Sequence, residues 1–225
     1  MLDFEKDLDA SVIEAFKTLR TNILYSSLDK KMKTIMITSA EPAEGKTTSS
    51  CNLAISFAKD GKKTLLVDCD LRKPNIHRKF NISNLSGLTD VLVGEEKLEI
   101  ALENYSDNLD ILTSGTKAPN PTEILGSKYM ETFLESLKDL YDIIIIDSAP
   151  LNSISDSQIL GAKVDGVLMV IRANKTKRDS IVEAKDLLEK VSANLLGVVL
   201  NGVETSHKKS YYYYGDKNEK KSNSK

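Results

Sequence analysis

A doubly wound α/β domain, a mostly parallel sheet with helices on both faces, is the fold this 225-residue chain predicts. Three observations carry that expectation. Short runs of apolar residues, continuous rather than alternating, point to strands buried on both faces. Segments with helical spacing separate those runs. The runs also end in small or acidic residues, and in open parallel sheets ligands bind beyond the carboxyl ends of the strands.

The elements follow in order. Residues 11–28 form an amphipathic helix, with Val12, Phe16, Leu19 and Ile23 at helical spacing and Glu14, Lys17 and Arg20 as a charged line on its flank. By spacing alone that line is an ordinary solvated face. Thr34 to Thr38 is a strand, Ser39 to Thr48 a loop, and Cys51 to Ala58 a helix that Gly61 closes. Thr64 to Asp70 is a buried strand ending in two carboxylates, from which Leu71-Arg72-Lys73-Pro74 breaks away. Residues 75–86 are polar and irregular, and Gly87 to Gly94 is a short helix. Leu109 to Leu112 is a strand followed by a Pro-rich loop, Ala118 to Pro121. Met130, Phe133, Leu134, Leu137 and Leu140 mark a helix ahead of the most apolar run, Ile143 to Ile146, which ends in Asp147-Ser148-Ala149-Pro150. Gly166 to Ile171 is a strand, Ile181, Ala184, Leu188 and Val191 a helix, and Leu195 to Leu200 the last strand.

The loop after the first strand has the context of a phosphate-binding loop. Backbone N–H groups of the turn and the helix N-terminus converge on an anion, Lys46 adds positive charge, and the Thr47 hydroxyl can ligate Mg2+. Ala40, Glu41, Pro42, Ala43, Glu44, Gly45, Lys46, Thr47 and Thr48 are therefore the expected nucleotide cradle of a P-loop NTPase. Strand-end aspartates Asp68 and Asp147 could hold Mg2+ through its waters, since this ion keeps much of its hydration shell. Asp70, two residues on, projects from the same side if strand geometry continues, and one of the pair could accept a proton from an incoming hydroxyl. Asn201, after the last strand, is an adenine contact or a turn-forming residue.

Composition sets outer bounds. Hydrophobic residues at 40% and charged residues at 28% suit one globular domain of ordinary size. A net charge of −2 gives no reason to expect nucleic acid as a partner. Cys51 and Cys69 lack metal-ligand spacing and are expected to be reduced core thiols. The acidic N-terminus is unlike a signal peptide, and no run approaches the ~18 apolar residues of a membrane span. A cytoplasmic protein is expected, with any membrane association made through a partner.

The charge is unevenly placed. Residues 207–225 carry six Lys against Asp216 and Glu219, a local +4, which leaves −6 on residues 1–206. That divides the chain into a domain, 1–206, and a flexible tail, 207–225. The tail holds four consecutive tyrosines, Tyr211, Tyr212, Tyr213 and Tyr214, with no alternation to suggest a strand. An exposed run of tyrosines on a terminus suits a phosphoacceptor.

From about Glu14 to the C-terminus the chain resembles the bacterial tyrosine kinases of capsule and exopolysaccharide synthesis in their stand-alone CpsD/CapB form. The family's Walker A is matched by Ala40 to Thr47, its Walker A′ (an apolar strand, then Asp-x-Asp-x-Arg) by Leu65 to Arg72, and its Walker B by Ile143 to Pro150. Gly87 to Gly94 and Pro119 to Leu125 are also similar to family sequence. The fold implied is that of a P-loop NTPase of the MinD/ParA-like superfamily. The lysine that the MinD/ParA branch carries four positions before the last loop glycine is here Glu41, which argues against a dimer-switch ATPase.

The resemblance implies Mg-ATP handled by Lys46, Thr47, Asp68 and Asp147, with Arg72 in the nucleotide site. It implies Asp68 as first choice and Asp70 as second for the base that takes the tyrosine proton. Autophosphorylation of the tail in trans within a ring-like homo-oligomer is implied too, as are a membrane-spanning adaptor that recruits the kinase to the inner face of the plasma membrane and a phosphotyrosine phosphatase. The family's assembly motif, Glu-x-x-Arg-x-x-Arg, becomes Glu14, Lys17 and Arg20, with Lys in the middle place. The rival readings are a non-kinase MinD/ParA-like ATPase that switches a partner and a nucleotide-binding scaffold without transfer activity.

Overall fold

The computed structural model describes residues 9–26 and 32–203. The domain boundary expected at 206 and the whole tail, Tyr211 to Tyr214 included, lie outside the described residues. One seven-stranded sheet organises the rest. Its strands are β1 (Thr34–Ser39), β2 (Thr64–Asp68), β3 (Leu102–Ser106), β4 (Leu109–Leu112), β5 (Ile143–Asp147), β6 (Gly166–Arg172) and β7 (Leu195–Asn201). Their spatial order is β3-β4-β2-β5-β1-β6-β7, and only β3, paired with β4, runs antiparallel.

The continuous apolar runs are central because both of their faces are covered. Every residue of β1, β2 and β5 is buried. Alternate side chains feed two cores. Ile35, Ile37, Leu66, Ile143 and Ile145 pack under α1 (Ala10–Ser26), α2 (Lys46–Lys59) and α3 (Ile76–Phe80). Met36, Leu65, Val67, Ile144 and Ile146 face α4 (Leu88–Val93), α6 (Pro121–Gly126), α7 (Lys128–Leu140), α8 (Asp156–Gly161) and α9 (Arg178–Lys190). A short α5 (Leu98–Ala101) leads into β3. Both cysteines are buried free thiols, and burial, ahead of the nearby aspartates, pushes each thiol pKa up, which leaves them unreactive.

α2 is buried on almost every face, from Thr47 to Ala58 with the exception of Thr48, because α1 lies over its outer side. Asn52, Ile55 and Ser56 of α2 meet Ile13, Phe16 and Arg20 of α1 there. Arg20 fixes α1 in place: one guanidinium nitrogen donates to Ser56 O at 2.6 Å, and another meets Asp60 at 2.9 Å, just past the last turn of α2. Cations at a helix C-terminus are favourable there.

Several expectations need correction. Residues 75–86 are not wholly irregular, because Ile76 and Phe80, four apart, bury one face of α3 against the sheet. The stretch after Pro119 is not a continuous loop, since Pro121 sits at the first helical position of α6, where its missing N–H costs nothing. β2 stops at Asp68 rather than Asp70, so strand alternation does not carry Asp70. The antiparallel edge strand β3 and the short helices α5 and α8 have no counterpart among the expected elements, since each is too short or too polar to show a period. The first helix ends at Ser26, and the last two residues expected in it lie outside the described residues.

Candidate active site

Strand order assembles the site. β5 lies between β1 and β2, so Asp147 is in register with Ile37 on one side and Asp68 on the other. Two carboxylates from segments about eighty residues apart are thus side by side beneath the phosphate loop. Above them opens a cavity of about 1170 Å3, lined by Pro42, Ala43, Gly45 to Thr48, Asp70, Arg72 to Asn75, His77 to Lys79, Asn84, Ala149, Pro150, Ser153, Ile154 and, beside the phosphate loop, by Arg172, Asn201 and Gly202.

The phosphate loop is braced from a distance. The Asn201 amide donates to Glu44 O at 2.8 Å, and Arg172 donates to Ala43 O at 3.3 Å. Buried Glu44 accepts from its own loop, Glu41 N at 2.9 Å, and from the Thr176 hydroxyl. Gly45 has φ +101°, and a Cβ there would lie 2.0 Å from the Asn201 amide nitrogen, so only glycine fits. Ala43 also takes a left-handed backbone, φ 61°, in place of a glycine.

The expected cradle residues therefore divide. Pro42, Ala43, Gly45, Lys46, Thr47 and Thr48 line the cavity, whereas Ala40 is buried and Glu44 turns its carboxylate inward. Glu41 points to Asn152 of its own chain, Oε1 to Nδ2 3.4 Å. Asn201 borders the cavity and also clamps the loop.

Lys46 forms an ion pair with Asp70 at 2.8 Å, both side chains largely buried. Burial alone would lower the Lys46 pKa, but Asp147, Asp70 and Asp68 together outweigh it and the net shift is upward, so the ammonium is held firmly charged. Asp68 is fully buried and works as a bracket. One oxygen accepts from Asn75 N and Ile76 N at 3.0 Å each, and the other from Asp70 N at 3.2 Å. Asp70 in turn accepts from Lys73 N at 3.1 Å.

Burial, with Asp147 beside it, pushes the Asp68 pKa up to about 7 against the hydrogen bonds from Ile76 and Asn75. Asp147 is raised as well, by burial first, with Lys46, Thr47 and Ser50 opposing. Asp147 Oδ1 accepts from Ser50 Oγ at 3.0 Å, while its Oδ2 is buried with no hydrogen-bond partner.

That orphaned oxygen tests the fit of a magnesium ion. A buried carboxylate oxygen without a donor, next to the Thr47 hydroxyl in an all-oxygen set, suits a hard cation. Among the described residues no three His, Cys, Asp or Glu side chains form a metal cage by themselves. An ion here would thus depend on Thr47, Asp147, nucleotide oxygens and water, with Asp68 behind.

Arg72 stands at the cavity rim in a network that sequence reading missed. Its Nε and one terminal nitrogen meet the two oxygens of buried Asp156 at 2.8 and 3.3 Å, and that same terminal nitrogen donates to Thr122 Oγ1 at 2.9 Å. The Thr122 hydroxyl donates to Asp156 Oδ1 at 2.6 Å. No local signal marked Asp156, which follows an aperiodic loop; Ser50 could have been found, being four residues after Lys46 on one helix face.

The charged line on α1 is split. Glu14 and Lys17 pair with each other at 2.6 Å on an exposed surface, whereas Arg20 is turned inward to α2.

Comparison with known proteins places this geometry. The AAA domain matches residues 32–195. Tyrosine-protein kinase YwqD of Bacillus subtilis is 44% identical over 205 residues, 91% of this chain and 86% of that protein. Tyrosine-protein kinase CpsD of Streptococcus agalactiae is 37% identical over 195 residues, 86% of this chain and 84% of that one. The kinase domain of the Escherichia coli tyrosine kinase ETK superposes with a TM-score of 0.83 at 33% identity, covering 90% of this chain and 81% of that chain. With its P-loop, paired strand-end carboxylates and mostly parallel sheet, the chain belongs to the bacterial tyrosine-protein kinases built on the AAA-type P-loop domain.

Proposed function

We propose that this kinase transfers the γ-phosphoryl group of Mg-ATP to the tail tyrosines, Tyr211 to Tyr214, of a neighbouring copy. The observation that carries this reading is the Lys46–Asp70 pair at the mouth of the phosphate loop. Lys46 is the cation expected to lie along the β- and γ-phosphates, so binding of the nucleotide draws it off Asp70. A freed carboxylate then faces the cavity where an acceptor hydroxyl must arrive.

In the transfer, the tyrosine oxygen forms a bond to the γ-phosphorus and the bond from that phosphorus to the β-bridging oxygen breaks. ADP leaves, and the phenolic proton passes to a carboxylate. Asp70 lines the cavity, whereas Asp68 is fully buried with both oxygens already accepting backbone hydrogen bonds. This favours Asp70 over Asp68 as the proton acceptor, the reverse of the order the family resemblance implies. Asp68 holds Asn75 and Ile76 in place and lends negative charge beneath. A magnesium ion at Thr47 and Asp147 would neutralise charge on the transferring group.

Two features support the tail as acceptor. The tail is basic and the body carries −6 without it, so the two attract. Adding about −1.5 to −2 charge per phosphotyrosine reverses that attraction, which would loosen a ring of subunits joined through their tails. Glu14 and Lys17 are exposed on α1 for such an assembly; Arg20 serves it indirectly, by seating α1 on α2. The described residues contain no helix long and apolar enough to cross a membrane. A membrane-spanning adaptor would supply recruitment to the inner face of the plasma membrane, a phosphatase would reset the tail, and the cycle would regulate capsular or exopolysaccharide synthesis and export.

The test mixes a Lys46→Met chain, which cannot transfer, with an active chain lacking residues 207–225, in the presence of Mg-ATP and the adaptor's cytoplasmic segment. Phosphotyrosine should appear on the Lys46→Met chain. Its absence there, alongside labelling of the unmixed wild type, would rule out transfer in trans.

A further inference from the structure

Six Lys or Arg side chains line the cavity against a single acid, Asp70. Three of them are already engaged: Lys46 with Asp70, Arg72 with Asp156, and Arg172 with the loop carbonyl of Ala43. Lys73, Arg78 and Lys79 line the same cavity, are exposed, and form no ion pair with any described residue. All three belong to the one segment that follows β2, residues 70–79. Their segment is hung directly from the strand-end carboxylates, with Lys73 N on Asp70 and with Asn75 N and Ile76 N on Asp68. Arg78 and Lys79 follow within one turn of α3 and line the same cavity as Asp70.

A cationic wall at this place mismatches the unmodified tail, which is itself +4. It matches the same tail once one tyrosine carries a phosphate, because clustered Lys and Arg are the standard recognition surface for phosphorylated segments. The tyrosines are consecutive, and in an extended chain residues two apart share a face, about 6.4 to 6.8 Å from each other. A phosphate held on the wall by one tyrosine therefore leaves the hydroxyl two residues away on the same face, toward Asp70.

Resting on the reading of the tail as acceptor, we propose that Lys73, Arg78 and Lys79 form a phosphotyrosine-binding subsite that retains a phosphorylated tail and presents its next tyrosine. The wall makes the enzyme prefer a primed acceptor, and the four-tyrosine cluster is filled in successive transfers rather than independent ones. Each transfer moves one phosphoryl group from ATP to one phenol with release of ADP and a proton, so repeated rounds need only fresh nucleotide.

The test uses the full chain with Tyr211–Tyr214→Phe, so that its own tail does not compete as a phosphoacceptor, saturated with Mg-ADP so that the phosphate loop is filled. Synthetic peptides spanning residues 207–218 are titrated by fluorescence anisotropy, either unphosphorylated or carrying one phosphate at Tyr212 or Tyr213. The phosphorylated forms should bind about tenfold tighter or more, the scale of one or two charge-assisted hydrogen bonds. The preference should vanish in the combined Lys73→Gln, Arg78→Gln and Lys79→Gln variant and persist with Lys79→Arg. Equal binding of all peptides to the parent chain, or a preference that survives in the triple variant, overturns the proposal. So does a triple variant that weakens Mg-ATP binding while every peptide binds the parent alike, since the cations then serve the nucleotide. Because binding is read without turnover, a failure of the tail to be phosphorylated at all appears separately, as unlabelled peptide in a parallel transfer assay.

Discussion

The two walls of the cavity are built on opposite plans. The phosphate loop is held by side chains remote in sequence: Asn201, Thr176 and Arg172 reach Glu44 and Ala43 from more than a hundred residues away. The facing segment, 70–79, is held by the residues just before it, with Asp68 and Asp70 collecting the N–H groups of Asp70, Lys73, Asn75 and Ile76. A loop clamped by distant residues is held by contacts that lie outside the strand-end carboxylate pair. A loop hung from two carboxylates is tied to their protonation and to what binds them. The phosphate-loop wall is thus held by tertiary packing, and the facing wall answers to the electrostatics of the site.

Breaking the clamped wall should give the largest effect. Gly45→Ala forces a Cβ onto Asn201 and into a left-handed backbone, and nucleotide affinity should fall by about a hundredfold or more in a fluorescent-nucleotide titration. Gly61→Ala shares the positive φ but meets nothing within 4 Å, so it should cost about 1 kcal/mol of stability and leave nucleotide binding alone. Similar losses in both would mean that the Asn201 contact has no special role.

The hung wall should separate its two carboxylates. Asp68→Ala strips Asn75 N and Ile76 N of their acceptor and should destabilise the fold by about 1–3 kcal/mol in denaturant unfolding. Asp70→Ala releases Lys46, so nucleotide binding should hold or tighten while tyrosine transfer falls by about 10²-fold or more. Transfer that survives in Asp70→Ala and disappears in a folded Asp68→Asn would restore Asp68 as the proton acceptor.

The smallest expected effect is in pH. Asp68, lifted to about 7, and Asp147, also raised, keep protons in the folded state that an unfolded chain, with its Asp pKa near ~3.9, has already released. Between those values the native state binds more protons, so stability falls as pH rises. The nucleotide-free protein should therefore melt a few degrees lower at pH 7.5 than at pH 5, roughly 3 °C for each kcal/mol in a chain of this size. Asp147→Asn or saturating Mg-nucleotide should flatten that slope. A melting temperature that rises over the same interval would contradict the pairing.

Much of this was legible in the chain itself. The strands of the central sheet announce themselves because a fully buried strand needs a continuous apolar run, and the phosphate loop because its turn demands Gly45-Lys46-Thr47 between strand and helix. Short pieces such as β3, α3 and α8 were not legible, since five or six mixed polar and apolar residues show neither a period nor a continuous apolar run. Arg20 shows the limit from another side. Helical spacing put it on a charged line with Glu14 and Lys17, but spacing does not say that the C-terminus of α2 waits within 2.6 Å.

By itself, then, the sequence determined the fold class, the phosphate loop, the strand-end aspartates and the family, all of which rest on local periodicity and turn chemistry. The tertiary structure alone decided which of those parts work together. The insertion of β5 between β1 and β2 set Asp147 beside Asp68, the end of β2 at Asp68 let Asp70 turn to Lys46, and the clamp from β7 made Asn201, read as an adenine contact or a turn residue, a brace for Glu44. The reason is physical. Crossover connections and packing of two cores fix those neighbours, and no local preference of the chain carries information across a hundred residues.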